Sequence, residues 1–183
     1  MRTDQFGVSR TSLREAMQYL AAIGMVRSRT RAGTIVLHRE NWNYLDPLVL
    51  DVMLTIGGDE AFYTSLVDAR QLLEPAAAEH AATKASAKQL ARIAQAFEDM
   101  VDANARDNEE WSRADLEFHT AIINASGNWV YRQFASAIRA ALLASFRLTN
   151  RASQSHEQAI QKHQDVLEAI CENHMTPGAQ WRY

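Results

Sequence analysis

The sequence is poor in the residues that cross-link or sharply turn a chain. Its one cysteine, Cys171, excludes an internal disulfide, and a cytoplasmic protein is the expectation. Three prolines and seven glycines in 183 residues are too few for a turn-rich sandwich or barrel. No run approaches about 18 consecutive apolar residues, so no membrane-spanning helix is expected. Met1 to Val8 hold Arg2 and Asp4 without an apolar stretch and do not read as a secretory signal. What is present is ordinary globular usage, 47% hydrophobic and 22% charged, which excludes disorder as the main state.

The net charge of −3 hides two opposed regions. Residues 1–40 carry seven arginines, no lysine and three acids, a net of +4. The other 143 residues carry 12 basic and 19 acidic side chains, a net of −7. A basic head can meet a polyanion that an acidic body would repel.

The pattern changes near residue 40. Ser9 reads as a helix N-cap, and Leu13, Ala16, Met17, Leu20, Ala21 and Ile23 follow in steps that mark one helical face. Arg10, Thr11, Arg14 and Gln18 fall on the other face. Gly24 suits the position just past a C-terminus. Met25 to Arg29 and Thr34 to Leu37, joined by Thr30-Arg31-Ala32-Gly33, read as a β-hairpin with an arginine at its tip. After residue 41 the signal is helical. The predicted segments are a helix opened by Asn43 to Pro47 and running to Ile56, Glu60 to Thr83 with Leu66, Val67, Leu72 and Leu73 inward and a kink at Pro75, Ser86 onward, Asn108 to Asn124, a break at Ser126-Gly-Asn128 followed by a helix to about Leu148, and Ser155 to Asn173. Five or six such helices with short polar loops predict an antiparallel bundle.

The stretch Phe6-Gly-Val-Ser-Arg-Thr-Ser-Leu-Arg-Glu-Ala-Met, then Gly24-Met-Val and Arg31-Ala-Gly-Thr-Ile-Val, resembles the winged helix-turn-helix of GntR-family transcription regulators. Arg70-Gln-Leu-Leu-Glu74-Pro, Asp115-Leu-Glu-Phe-His119, Ser126-Gly-Asn128 and the His163 segment resemble the FadR-type branch with its helical FCD domain. Trp42-Asn-Tyr-Leu-Asp46 with Val49-Leu50 resembles members of that branch that answer to galactonate. The expected fold is therefore mainly α. A partial winged helix-turn-helix over 1–40, with recognition helix and hairpin wing, precedes an all-α FCD-type bundle over 41–183 for effector binding and dimerisation.

The resemblance implies that Ser9, Arg10, Thr11 and Arg14 contact double-stranded operator DNA and that the wing tip, Arg31 to Gly33, reaches the minor groove. Arginine suits guanine through two parallel hydrogen bonds, and serine or threonine suits phosphate. Family members carry further helices ahead of the recognition helix, whereas five residues precede Phe6 here. A reading head without its positioning helix is expected, with Leu13, Met17 and Leu20 partly exposed, and a bundle without its last helix.

Asp115 and His119 lie at i and i+4, on one helix face. Carboxylate with imidazole suits a divalent ion, zinc first and then nickel or manganese. The resemblance implies a metal held by Asp115, His119 and His163, and many relatives add a histidine that this chain does not match. His174 is a candidate substitute, although a frayed terminal histidine is its plainer reading. His156 has no helical partner by spacing, and His80 and His38 read as surface residues. Arg70 and Glu74, again i and i+4, read plainly as a helix ion pair. The resemblance implies that Arg70 takes the carboxylate of an effector such as galactonate, with Glu74 beside it and Asn124 lining the same cavity.

The function expected is a homodimeric repressor of sugar-acid or organic-acid catabolism, released from DNA by a small carboxylate. The alternative is a sensing and dimerisation module without specific DNA binding. A metal-dependent enzyme is a remote third. The chain has no His-Glu-x-x-His, no di-iron Glu-x-x-His pair, no Gly-rich phosphate loop and no Gly-x-Ser-x-Gly elbow, and nothing around Cys171 supports a nucleophile.

Overall fold

A computed structural model describes residues 7–29, 33–56, 60–104, 108–149 and 156–175. The chain divides into two compact units, residues 1–50 and 51–183.

In the first unit Ser9 caps α1 (Arg10–Ala22), its hydroxyl accepting from the Ser12 N–H at 3.1 Å. Gly24 follows the helix at φ +75, where a Cβ would stand 2.0 Å from the Asn41 carbonyl oxygen. Only glycine lets the chain return so closely at that backbone angle. Strands β1 (Val26–Arg29) and β2 (Gly33–Val36) pair antiparallel, Val26 opposite Val36 and Arg29 opposite Gly33. Arg31, at the expected wing tip, lies outside the described residues.

This unit extends to Leu50 rather than stopping near 40. The Asn43 N–H donates to the Ile23 carbonyl at 2.8 Å, and the Trp42 indole donates to the Leu37 carbonyl at 3.0 Å. The Tyr19 hydroxyl donates to Asp46. That carboxylate also accepts from the Leu48 and Val49 N–H groups, which caps α2 (Pro47–Ile56). The change in sequence pattern thus precedes the end of the packing unit, because these side chains fold back on α1 and the hairpin.

The second unit is helical among its described residues: the end of α2, α3 (Glu60–Lys84), α4 (Ala87–Asn104), α5 (Asn108–Ala125), α6 (Trp129–Gln133), α7 (Ala135–Thr149) and α8 (Glu157–Met175). Helix α3 touches α5, α7 and α8, while α4 lies along α5 and also meets α8. Small side chains allow this. Ala77, Ala78, Ala81 and Ala82 of α3 are buried against Ile93, Phe118, Ile123, Leu142 and Ile170. Helix α4 opens with a capping box: the Ser86 N–H donates to Gln89 Oε1 at 2.8 Å, and the Gln89 N–H to Ser86 Oγ at 3.4 Å.

Three expectations are corrected. Leu72 points outward at 78% exposure, because the alanine stripe sets the inward face of α3. The single helix expected after the Ser126-Gly-Asn128 break is two helices. Asn128 caps α6, the Phe134 N–H turns back to the Tyr131 carbonyl, and α7 restarts from Phe134. His156 has a partner, stacking on Trp111 at 3.9 Å between ring centroids.

Candidate metal and effector centre

Helices α3, α5 and α8 bring the site together. Asp115 and His119 share one face of α5, and both are buried, at 2% and 9% exposure. His163 arrives from α8, its Nε2 3.0 Å from Asp115 Oδ1 and 3.0 Å from His119 Nε2. Phe118 packs edge-on against both imidazoles. From α3, Arg70 places a terminal nitrogen 3.1 Å from His119 Nε2 and its Nε 2.6 Å from Glu74 Oε1. The other Glu74 oxygen stands 3.2 Å from His119 Nδ1.

Donor inventory orders these protons. A guanidinium can only donate, so His119 Nε2 accepts and its proton sits on Nδ1, donating to Glu74. His163 Nδ1 donates to the Ala159 carbonyl at 2.5 Å, and its Nε2 faces Asp115 and His119. Both ring nitrogens of His163 thus face acceptors, which favours the imidazolium. Its pKa is raised accordingly. Burial opposes the charge, and the hydrogen bond and attraction from Asp115 outweigh it. Burial likewise pushes Asp115 and Glu74 upward. The hydrogen bond from His163 and the positive charges of His163 and Arg70 hold Asp115 below the ordinary carboxylate range, and the hydrogen bonds from His119 and Arg70 do the same for Glu74.

The donor set fits a divalent metal. Asp115, His119 and His163 offer one atom each, all within 4.8 Å of one another. Nitrogen donors at about 2.0–2.1 Å from a tetrahedral zinc stand about 3.3 Å apart, close to the separation of the two Nε2 atoms here. Asp115 Oδ2 is buried and has no hydrogen-bond partner among the described residues, a cost that a cation would remove. The Nδ1 bonds to Glu74 and to the Ala159 carbonyl leave both Nε2 atoms turned toward Asp115, the outer support that imidazole ligands ordinarily receive.

A cavity of about 390 Å³ adjoins this cluster, and its wall includes Arg70, Glu74, His119 and His163. Lys162 also lines it, a second cation that the sequence reading missed although it directly precedes His163. Asn124 is a correction. It lies five residues after His119, about 140° around the helix, exposed and beside Gln89, Arg92 and Glu117 on another face. Ser9, Arg10, Thr11 and Arg14 all stand exposed at the start of α1, and Gly33 opens β2 at φ +81. The His174 side chain lies outside what is described.

The first unit thus offers a capped helix with exposed arginines and a hairpin, and the second a helical bundle with a cavity beside buried charged groups. Residues 3–36 match the bacterial regulatory proteins of the gntR family, and residues 65–175 match the FCD domain. The chain belongs to the GntR family of transcription regulators, in its FCD branch. The galactonate operon transcriptional repressor of Escherichia coli (strain K12) is 32% identical over 91% of this chain and 73% of its own length. The putative L-lactate dehydrogenase operon regulatory protein of the same organism is 31% identical over 91% of this chain and 65% of its own length. A solved structure, Streptococcus agalactiae GntR, covers 94% of this chain and 77% of that one, with a TM-score of 0.57 and 23% identity, a likeness of fold alone. These families are transcription regulators and not enzymes.

Proposed function

We propose that this chain is a homodimeric, operator-binding repressor of organic-acid catabolism. It releases DNA when a small hydroxy-carboxylate binds Arg70 beside a divalent metal held by Asp115, His119 and His163. The observation that carries this reading is the cavity wall, where an arginine fork stands within hydrogen-bond reach of a buried imidazole of the metal-type cluster. A guanidinium pairs with a carboxylate through two parallel bonds. Lys162 offers a second positive charge at the same wall. The two relatives named above bear the names of regulators of the galactonate operon and of the L-lactate dehydrogenase operon, and galactonate and L-lactate are both 2-hydroxy acids. Zinc is the first choice of metal, with nickel or manganese next. A bound metal would supply a Lewis acid to the effector's oxygens. Ser9, Arg10, Thr11, Arg14, Arg31 and Gly33 would read the operator.

Thermal unfolding in the presence of zinc, with galactonate and L-lactate as probes, tests the reading. Saturation at about 100 times Kd stabilises by about 2.7 kcal/mol, a shift of several degrees. Arg70→Ala should abolish the acid-induced shift while leaving the zinc-induced one. An undiminished acid-induced shift in Arg70→Ala would refute the effector assignment.

A further inference from the structure

Glu74 stands apart from the three metal-type donors, yet it touches both halves of the site. Its two oxygens divide their work: Oε1 accepts from Arg70 Nε at 2.6 Å, and Oε2 accepts from His119 Nδ1 at 3.2 Å. The i, i+4 spacing with Arg70 makes this look like an ordinary helix ion pair. However, both side chains are about four-fifths buried, and the second contact crosses from α3 to α5.

We infer that Glu74 is the positioning residue of the metal centre, acting through the His119 tautomer. This deepens the function proposed above and rests on its metal reading. With the proton fixed on Nδ1 by Glu74, His119 presents only a lone pair at Nε2, on the side of Asp115 and His163. Arg70 donates to that same lone pair. A lone pair serves one partner, so Arg70's end nitrogen leaves His119 when Nε2 ligates a metal, while its Nε stays on Glu74. The guanidinium then pivots on that anchor, and its free edge is available to a carboxylate. Glu74 thereby links occupancy of the metal centre to the posture of the effector's arginine.

The test is zinc titration against a competing chelator, with wild type and Glu74→Gln, paired with imidazole nitrogen NMR of the metal-free wild type. Glutamine keeps the length of glutamate, but one end of its amide only donates, so it cannot face Arg70 and His119 with an accepting oxygen each. Zinc affinity should fall roughly 10–100-fold, with unchanged circular dichroism, and metal-free wild-type His119 should carry its proton on Nδ1. Glu117→Gln, which breaks an exposed ion pair with Arg92, should bind zinc as wild type does. Wild-type zinc affinity in Glu74→Gln, or a proton on Nε2 of wild-type His119, would overturn the inference and leave the metal reading standing. Failure of wild type to bind zinc, nickel or manganese would overturn both.

Discussion

The first unit shows its charges and buries little, while the second hides its charges among alanines. Of the described residues in 1–50, only Ile23, Val49 and Leu50 are buried, and Arg10, Arg14, Arg27 and Arg29 all face solvent. In 51–183 the close-packed core surrounds Asp115 and His119, with Glu74, Arg70 and His163 beside them. Exposed arginines keep their hydration until a polyanion arrives, so they cost the fold almost nothing and can be exchanged without harming it. Buried charges must be partnered within the fold, so each supports the others. One unit is organised for a partner outside, and the other for a ligand inside.

The contrast breaks most visibly at Asp115. Asp115→Asn removes the anion that faces the charged His163, with the Arg70 guanidinium nearby. Leaving their charge uncompensated should cost about 3–5 kcal/mol of stability, read from the denaturant midpoint of metal-free protein, and should abolish zinc binding. A midpoint within experimental error of wild type would show that the cluster is not coupled as described.

Arg10→Ala sharpens the other side. Stability should stay within about 0.5 kcal/mol of wild type, because the side chain is exposed. Operator affinity should fall by about 1–3 kcal/mol if Arg10 reads a base. If it holds a phosphate, affinity should fall uniformly across sequences, with the salt slope reduced by about one. Anisotropy titrations on operator and scrambled duplexes separate the two outcomes.

The smallest effect concerns pH. His163 has a raised folded-state pKa, so its contribution is complete below about pH 6.5 and fades as pH rises through the folded value. Asp115 and Glu74 have lowered values, so theirs is present above about pH 4 and lost as pH falls. Metal-free protein should therefore be most stable between about pH 4.5 and 6.5 and weaken on the alkaline side, in urea melts across pH 4 to 9. His163→Gln should remove the alkaline decline.

Legibility followed the same division. Ser9, Gly24 and the hairpin were readable because caps, turns and strand alternation act between near neighbours. Asp115 and His119 were readable as an i, i+4 pair. The role of Glu74 was not, because it exists only where α3 meets α5, 45 residues apart along the chain. Asn124 was carried by the resemblance alone, and its angle of about 140° from His119 around α5 puts it on another face. The break at Phe134 was invisible because apolar residues continue across it, and only the cap at Asn128 and the turn at Tyr131 impose it.

The measurement that tests the central claim most directly is operator-duplex anisotropy with zinc-loaded wild type and Arg70→Ala, at several salt concentrations, with and without galactonate or L-lactate. The account predicts affinity that falls steeply with salt in both proteins, and release by one of these acids from wild type alone. Release from both proteins alike, or no operator binding at low salt by folded wild type, would contradict it.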